Sequence, residues 1–342
     1  MKRIFITSIC LLIVLSYKSQ QNSMTSQYLF NDFAINPAVA GTKSYSPLSI
    51  SFRRQWVGID EAPVTQNLMY HTFLGDNTGI GAHIFNDASG PSRRTGINSA
   101  FAYNIKTSKR TKLSFGISGS LTQFSIDRDR LITDVPGDVA VGNLSNQLIG
   151  DCNFGLYWSG DRHFVGFSGY NLFENKTDLL ALTTPILNTL DRVFYIHGGY
   201  NFKIGAIFEL QPSMIIRTMN NSLIQMDGNL KFTVKNAYSL GLSYRNKDAV
   251  SFIGGVNIGT ATIGYSYDVG ISKIKTYNSG THEIFLSYKL KKDNQSKTPW
   301  KIPGDLPEHV RKKWKNVSRN TPPTLREDLS MMPKPPGNTP GT

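Results

Sequence analysis

The sequence predicts an all-β fold, a transmembrane antiparallel β-barrel of about fourteen strands, with a short N-terminal helix and turn segment and a largely disordered C-terminal tail. Three observations predict it. Apolar and polar residues alternate with a period of two through most of the chain. The alternating runs are mostly near the ~9–11 residues of a tilted membrane strand and are joined in turn by short and longer connections. A secretory leader opens the chain, yet no later apolar run approaches the ~20 residues of a membrane helix, which leaves a closed barrel as the way across a bilayer.

Residues 1–19 are the leader. Lys2 and Arg3 precede the apolar run Ile4 to Leu15, and Ser16-Tyr17-Lys18-Ser19 leads to Gln20, so cleavage is expected after Ser19. Cys10 lies inside the apolar run and does not form a lipoprotein site. Its removal leaves Cys152 alone, so no internal disulfide staples the exported chain. The formal charge of +13 falls by the three cations Lys2, Arg3 and Lys18 to +10. A basic chain can bind nucleic acid, but export excludes that partner.

Residues 20–47 form an N-terminal segment expected in the periplasm. A short helix over 25–34 would put Leu29 and Phe33 on one face. The run Ile35-Asn36-Pro37-Ala38-Val39-Ala40-Gly41 then reads as a rigid turn. Asn36 can bond its own following backbone, Pro37 fixes φ near −65°, and Gly41 permits a left-handed or close-packed exit. Small alanines would let this turn lie against the barrel mouth before strand one begins at Leu48.

The barrel is expected over 48–290. Strands are marked near 48–58, 64–74, 78–87, 95–106, 111–125, 150–159, 163–171, 192–203, 206–218, 223–235, 238–246, 249–258, 261–269 and 281–290. In 113–121, for example, Leu113, Phe115, Ile117 and Leu121 alternate with Ser114, Gly116, Ser118 and Ser120. The polar face is Ser, Thr, Gly and Asn, as a barrel lumen requires, and the apolar face repeatedly ends in aromatics, as lipid interfaces require. A soluble sandwich could show the same alternation. Short turns such as Gly75-Asp76-Asn77 and Gly259-Thr260 face longer segments such as 126–149 and 172–191, and an even strand number returns both ends to the periplasm. If Phe52 and Trp56 face lipid, so does Arg54, while Arg53 and Gln55 face the lumen. A lipid-facing Arg costs about 2–4 kcal/mol at mid-bilayer and about 0–1 near an interface, so Arg54 belongs beside Trp56 in the girdle, inside a bulge, or under a protein.

Residues 291–342 form the tail. They carry nine of the sixteen prolines and eleven Lys/Arg against five Asp/Glu. Such a stretch reads as an extended periplasmic segment, with one helix at 306–319 capped by Asp305. Trp300 and Trp314 are large apolar anchors there, and Arg311, Lys312 and Lys313 could meet an acidic partner surface.

No catalytic constellation is visible. Gly166-Phe167-Ser168-Gly169 lacks the spacing of a nucleophile elbow, and the six histidines have no metal-ligand spacing. His197 and Tyr195 read as a polar lumen lining. No enzyme activity, cofactor or metal is expected.

Several ordered stretches carry a resemblance. Gln27-Tyr28-Leu29-Phe30-Asn31, Ile35-Asn36-Pro37-Ala38 with Ala40-Gly41, Phe52-Arg53-Arg54-Gln55-Trp56-Val57-Gly58-Ile59-Asp60, and Ala62-Pro63-Val64-Thr65-Gln66 together resemble the PorP/SprF family of the type IX secretion system. So do Asn86-Asp87, Gly90-Pro91, Thr95-Gly96 and the closing strand Gly280 to Tyr288. The resemblance covers roughly 24–290. It implies a non-enzymatic barrel embedded in outer-membrane lipid. Such a barrel would work with periplasmic components of the secretion machine and with cargo or adhesins that carry C-terminal sorting domains, in some members for gliding. The last strand departs from the pattern by ending in Lys289-Leu290 and running on into the tail. The alternative reading is a passive porin for small solutes, and a third, weaker one is an outer-membrane enzyme such as a lipase.

Overall fold

A computed structural model describes residues 27–75, 77–127, 130, 146–177, 188–219 and 223–290. The leader expected at 1–19 and residues 291–342, including Trp300, Trp314, Arg311, Lys312, Lys313 and the helix expected at 306–319, lie outside the described residues. Fourteen wall strands close into one antiparallel barrel. They are β1 (Ser46–Arg54), β2 (Val64–Gly75), β3 (Thr78–Ser89), β4 (Ser92–Lys106), β5 (Thr111–Ile126), β6 (Gln147–Gly160) and β7 (His163–Tyr170). The series continues with β8 (Val193–Tyr200), β9 (Phe208–Met219), β10 (Leu223–Val234), β11 (Tyr238–Arg245), β12 (Ala249–Ile258), β13 (Ala261–Gly270) and β14 (Thr281–Leu290). Each pairs with its neighbours in sequence, and β1 closes on β14 from Ser46↔Leu290 to Arg54↔His282. Phe202–Ile204 continues the path of β8 along the start of β9, and Lys176–Thr177 pairs with Asn188–Thr189 outside the wall.

The alternation settles into an inside and an outside. On β1, Leu48, Ile50 and Phe52 are exposed outward, while Ser49, Ser51 and Arg53 are buried inward. The exposed apolar residues continue around the wall, as they must where hydrocarbon replaces water. Outward aromatics gather at the rim that carries Ser46 and Leu290: Tyr103, Trp158, Phe208, Tyr238 and Tyr288. We call this the terminal rim and the opposite one the loop rim.

Two local expectations are corrected. Strand one stops at Arg54 and does not run to Gly58. Gln55 N–H turns to the Pro63 carbonyl (2.9 Å), and Trp56 and Gly58 take positive φ (46° and 103°), so 55–63 is a tight loop at the loop rim. The helix expected over 25–34 is broken into short 3-10 turns, Gln27–Leu29 and Asp32–Ala34, followed by Pro37–Val39. The physical reason is the pair Asn31 and Asn36. Each is extended (φ −145° and −150°) and accepts a hydrogen bond from the backbone two residues on, which restarts the turn instead of propagating a helix.

Candidate functional site: a plugged lumen

The described N-terminal residues fill the barrel. The turn was expected at the barrel mouth or just inside the wall, and Asn36, Pro37, Ala38, Val39 and Ala40 are wholly buried against the inner wall. Asn36 joins turn to wall with one side chain. Its Oδ1 accepts from Ala38 N–H (2.9 Å), and its Nδ2 donates to the Leu156 carbonyl of β6 (2.9 Å), with a longer contact to the Phe167 carbonyl of β7 (3.4 Å). Ser168 Oγ donates to the Ile35 carbonyl (2.5 Å). Gly41 leaves the turn at φ +70°, and its N–H donates to His71 Nδ1 (3.3 Å).

The wall makes room by omitting side chains. A Cβ on Gly116 of β5 would strike the Ala38 backbone, and one on Gly79 of β3 would strike the Ala40 carbonyl. Both glycines stand where backbone meets backbone, and no larger residue fits. Phe33, Ala38, Val39 and Ala40 pack with Met69, Ala100, Ala102 and Tyr157 in an apolar core inside the otherwise polar lumen.

The earlier part of the segment crosses to the other wall. Tyr28 Oη donates to Asn229 Oδ1 on β10 (2.9 Å), Lys231 Nζ donates to the Leu29 carbonyl (3.3 Å), and the Phe30 and Phe285 rings stack 5.8 Å apart. Burial, and then the Asp227 carboxylate, hold the Tyr28 phenol above the usual tyrosine range. Tyr157 Oη donates to Asp32 Oδ2 (3.0 Å). Residues 27–42 therefore lie across the lumen as a plug. Toward the terminal rim they leave a polar vestibule of about 590 Å³, lined in part by Asp32, Lys43, His163 and Lys231. Toward the loop rim lie smaller cavities of about 100 and 120 Å³, and Ala34 of the plug lines both.

A buried ionic cluster lies in the loop-side half. Arg53 donates to Asp268 (2.7 Å) and Glu283 (3.0 Å). Arg245 reaches Asp227 (3.1 Å), Asp248 (3.2 Å) and Asp268 (3.7 Å). Further along the same row of the wall, Asp87 accepts from Arg94 (2.6 Å) and from Thr65 Oγ1 (2.7 Å). Such pairs contribute little beyond what apolar packing would, but a register that parts them is strongly disfavoured.

The residues singled out in the sequence divide into two groups. Asn36, Pro37, Ala38 and Gly41 share the plug. Arg53 points into the lumen and Arg54 outward, while Gln55, Trp56, Gly58, Ala62 and Pro63 belong to the 55–63 loop at the loop rim, where Trp56 N–H donates to Thr281 Oγ1 (3.2 Å). The two groups do not meet. Sequence reasoning missed Asp227, Arg245, Asp268 and Glu283. An Arg53 on the lumen face was the signal that buried carboxylates must answer it. It also missed why Gly79 and Gly116 sit on the polar face. Among the described residues no His, Cys, Asp or Glu group has metal-binding geometry.

A closed fourteen-stranded wall, apolar outside and filled inside by its own N-terminal segment, defines an integral outer-membrane β-barrel with a plugged lumen. Residues 17–288 match the family described as type IX secretion system membrane protein PorP/SprF, and the chain belongs to that family. No curated protein matches it. Among solved structures it is similar to the toluene transporter TodX of P. putida, at 11% identity and a TM-score of 0.44 over 75% of this chain and 93% of that one. It is also similar to the monoaromatic hydrocarbon channel CymD, at 11% identity and a TM-score of 0.47 over 79% and 94%. A third is the KdgM porin, at 8% identity and a TM-score of 0.38 over 72% and 99%.

Proposed function

We propose that this barrel is a non-enzymatic component of the type IX secretion machinery and not a passive pore. Family membership supports the first half, and the plug carries the second. Residues bonded to opposite walls cross the lumen and obstruct the path that a small-solute pore would need. Its value to the cell then lies in what it holds and contacts: cargo or adhesins with C-terminal sorting domains, exported or retained at the surface, in gliding cells included. In this reading the terminal rim faces the periplasm, since both ends of the barrel lie there, and the polar vestibule opens toward periplasmic components of the machine. The tail continues from that rim. Trp300 and Trp314 would anchor 299–319 on such a component, with Arg311, Lys312 and Lys313 meeting its acidic surface.

The test is a deletion strain complemented with the wild-type chain. Loss of sorting-domain cargo from the medium and surface, restored by complementation, is the expected result. Normal secretion in the deletion strain, together with steady ion conductance of the purified barrel, would overturn the reading in favour of a porin.

A further inference from the structure

Two Arg-Arg pairs stand near the loop rim, and the pleat splits each of them. Arg53 and Arg94 point inward and are held by carboxylates. Arg54 and Arg93 point outward and are exposed. Strand register puts the outward two in one row: Arg54↔Val64, Val64↔Ala88 and Ala88↔Arg93. Three strand spacings separate their Cα atoms by ~14 Å, with only a valine and an alanine between. Neither guanidinium makes an ion pair or hydrogen bond among the described residues. The inward row beneath, Arg53–Thr65–Asp87–Arg94, is tied by Thr65 to Asp87 (2.7 Å) and Arg94 to Asp87 (2.6 Å), which stiffens the wall that carries the outward pair.

Depth decides what this pair meets. Two rows toward the membrane centre, the outward residues are all apolar and exposed: Leu286, Ile50, Leu68, Ile84, Ile97 and Leu121. The row between is polar at its centre. Asn86 Nδ2 donates to Gln66 Oε1 (3.3 Å), and Thr95 Oγ1 donates to Asn86 Oδ1 (3.0 Å), all on the outer surface. Four residues along a tilted strand raise Arg54 and Arg93 ~10 Å above the apolar row. That puts both on the loop-rim side of the apolar row, at the rim opposite the chain ends, which in an outer-membrane barrel is the side of the outer leaflet.

We infer that Arg54 and Arg93, over the Gln66–Asn86–Thr95 ladder, form a docking surface for a phosphate-bearing glycolipid headgroup of the outer leaflet. Guanidinium groups match phosphate oxygens with paired donors. The side-chain amides and hydroxyl just below suit the sugar hydroxyls that such a headgroup carries. The small Val64 and Ala88 let it settle against the strands. This assigns Arg54 a role that neither the plug nor the ionic cluster uses.

The experiment reconstitutes the full-length protein in nanodiscs doped with diphosphoryl lipid A or with its enzymatically dephosphorylated counterpart, and counts bound lipid by native mass spectrometry. The wild type should prefer the diphosphoryl form by roughly tenfold or more, the scale of one charge-assisted contact. The double variant Arg54→Gln/Arg93→Gln should lose that preference. Arg110→Gln, in the turn at the terminal rim, should keep it. Inorganic phosphate in excess should displace little, and full displacement would mean that the pair binds bare anions and not a lipid. Equal binding of both lipids by the wild type, or an undiminished preference in the double variant, overturns the inference. Heat-modified gel mobility reports whether the double variant is folded, and if it is not, the wild-type comparison decides alone.

Discussion

Arg53→Ala tests the ionic cluster most severely. The substitution removes a guanidinium that is 2% exposed and bonded to Asp268 at 2.7 Å and to Glu283 at 3.0 Å. Those carboxylates are themselves 3% and 0% exposed, so bulk solvent does not reach them in the native barrel. Removing one partner of a buried pair typically costs about 3–5 kcal/mol. Here the loss should fall near the lower end, about 3 kcal/mol, because Arg245 stands 3.7 Å from Asp268 and keeps part of its compensation. Arg53→Met with Glu283→Gln should cost less than the sum of the two single changes, with a coupling of about 1–3 kcal/mol. Arg54→Ala, one residue along and outward, should change stability by no more than about 0.5 kcal/mol. Urea unfolding in lipid vesicles, followed by tryptophan fluorescence and gel mobility, reads all five variants. If Arg53→Ala falls within about 0.5 kcal/mol of Arg54→Ala, the cluster does not hold the seam between β1 and β14 and the reasoning fails.

Further outcomes follow from the plug and the tail. Gly116→Val should clash with the Ala38 backbone and destabilise the plugged state by about 1–3 kcal/mol, seen as new protease cleavage within 27–45 of folded barrels. Asn36→Ala should cost about 1–3 kcal/mol through the lost cap and wall bonds, read as faster hydrogen exchange at the Ala38 amide. Truncation after Lys292 should leave the barrel inserted yet lose co-purifying periplasmic proteins, with Trp314→Ala a weaker form of the same defect. If neither change alters co-purification, the tail is only a spacer.

Much of the wall was legible because its signal is local. Each strand buries one face against a polar lumen and shows the other to lipid, so Leu113, Phe115 and Ile117 declare their side by spacing alone. The end of β1 was misread because Trp56 continues the alternation while its backbone has already turned to φ +46°. The plug was half legible. Asn36, Pro37 and Gly41 announce a turn, but a run of small residues has no periodicity to say what it packs on. The glycines that receive it lie on other strands, and nothing near Ala38 in sequence points to Gly116. The ionic cluster is less local still, since Arg53 finds Asp268 and Glu283 only when the last strands close on the first. The split of Arg53 from Arg54 was readable from the pleat, but the row joining Arg54 to Arg93 needed the register of four strands.

Closure of the lumen by residues 27–42 is the property on which the proposed role depends. Single-channel recording of the purified full-length barrel in a planar bilayer measures this. The wild type should show no steady open level, and sustained ion conductance should appear once Gly79→Val and Gly116→Val together deny the plug its seat. A steady conductance in the wild type as large as in that double variant would contradict it.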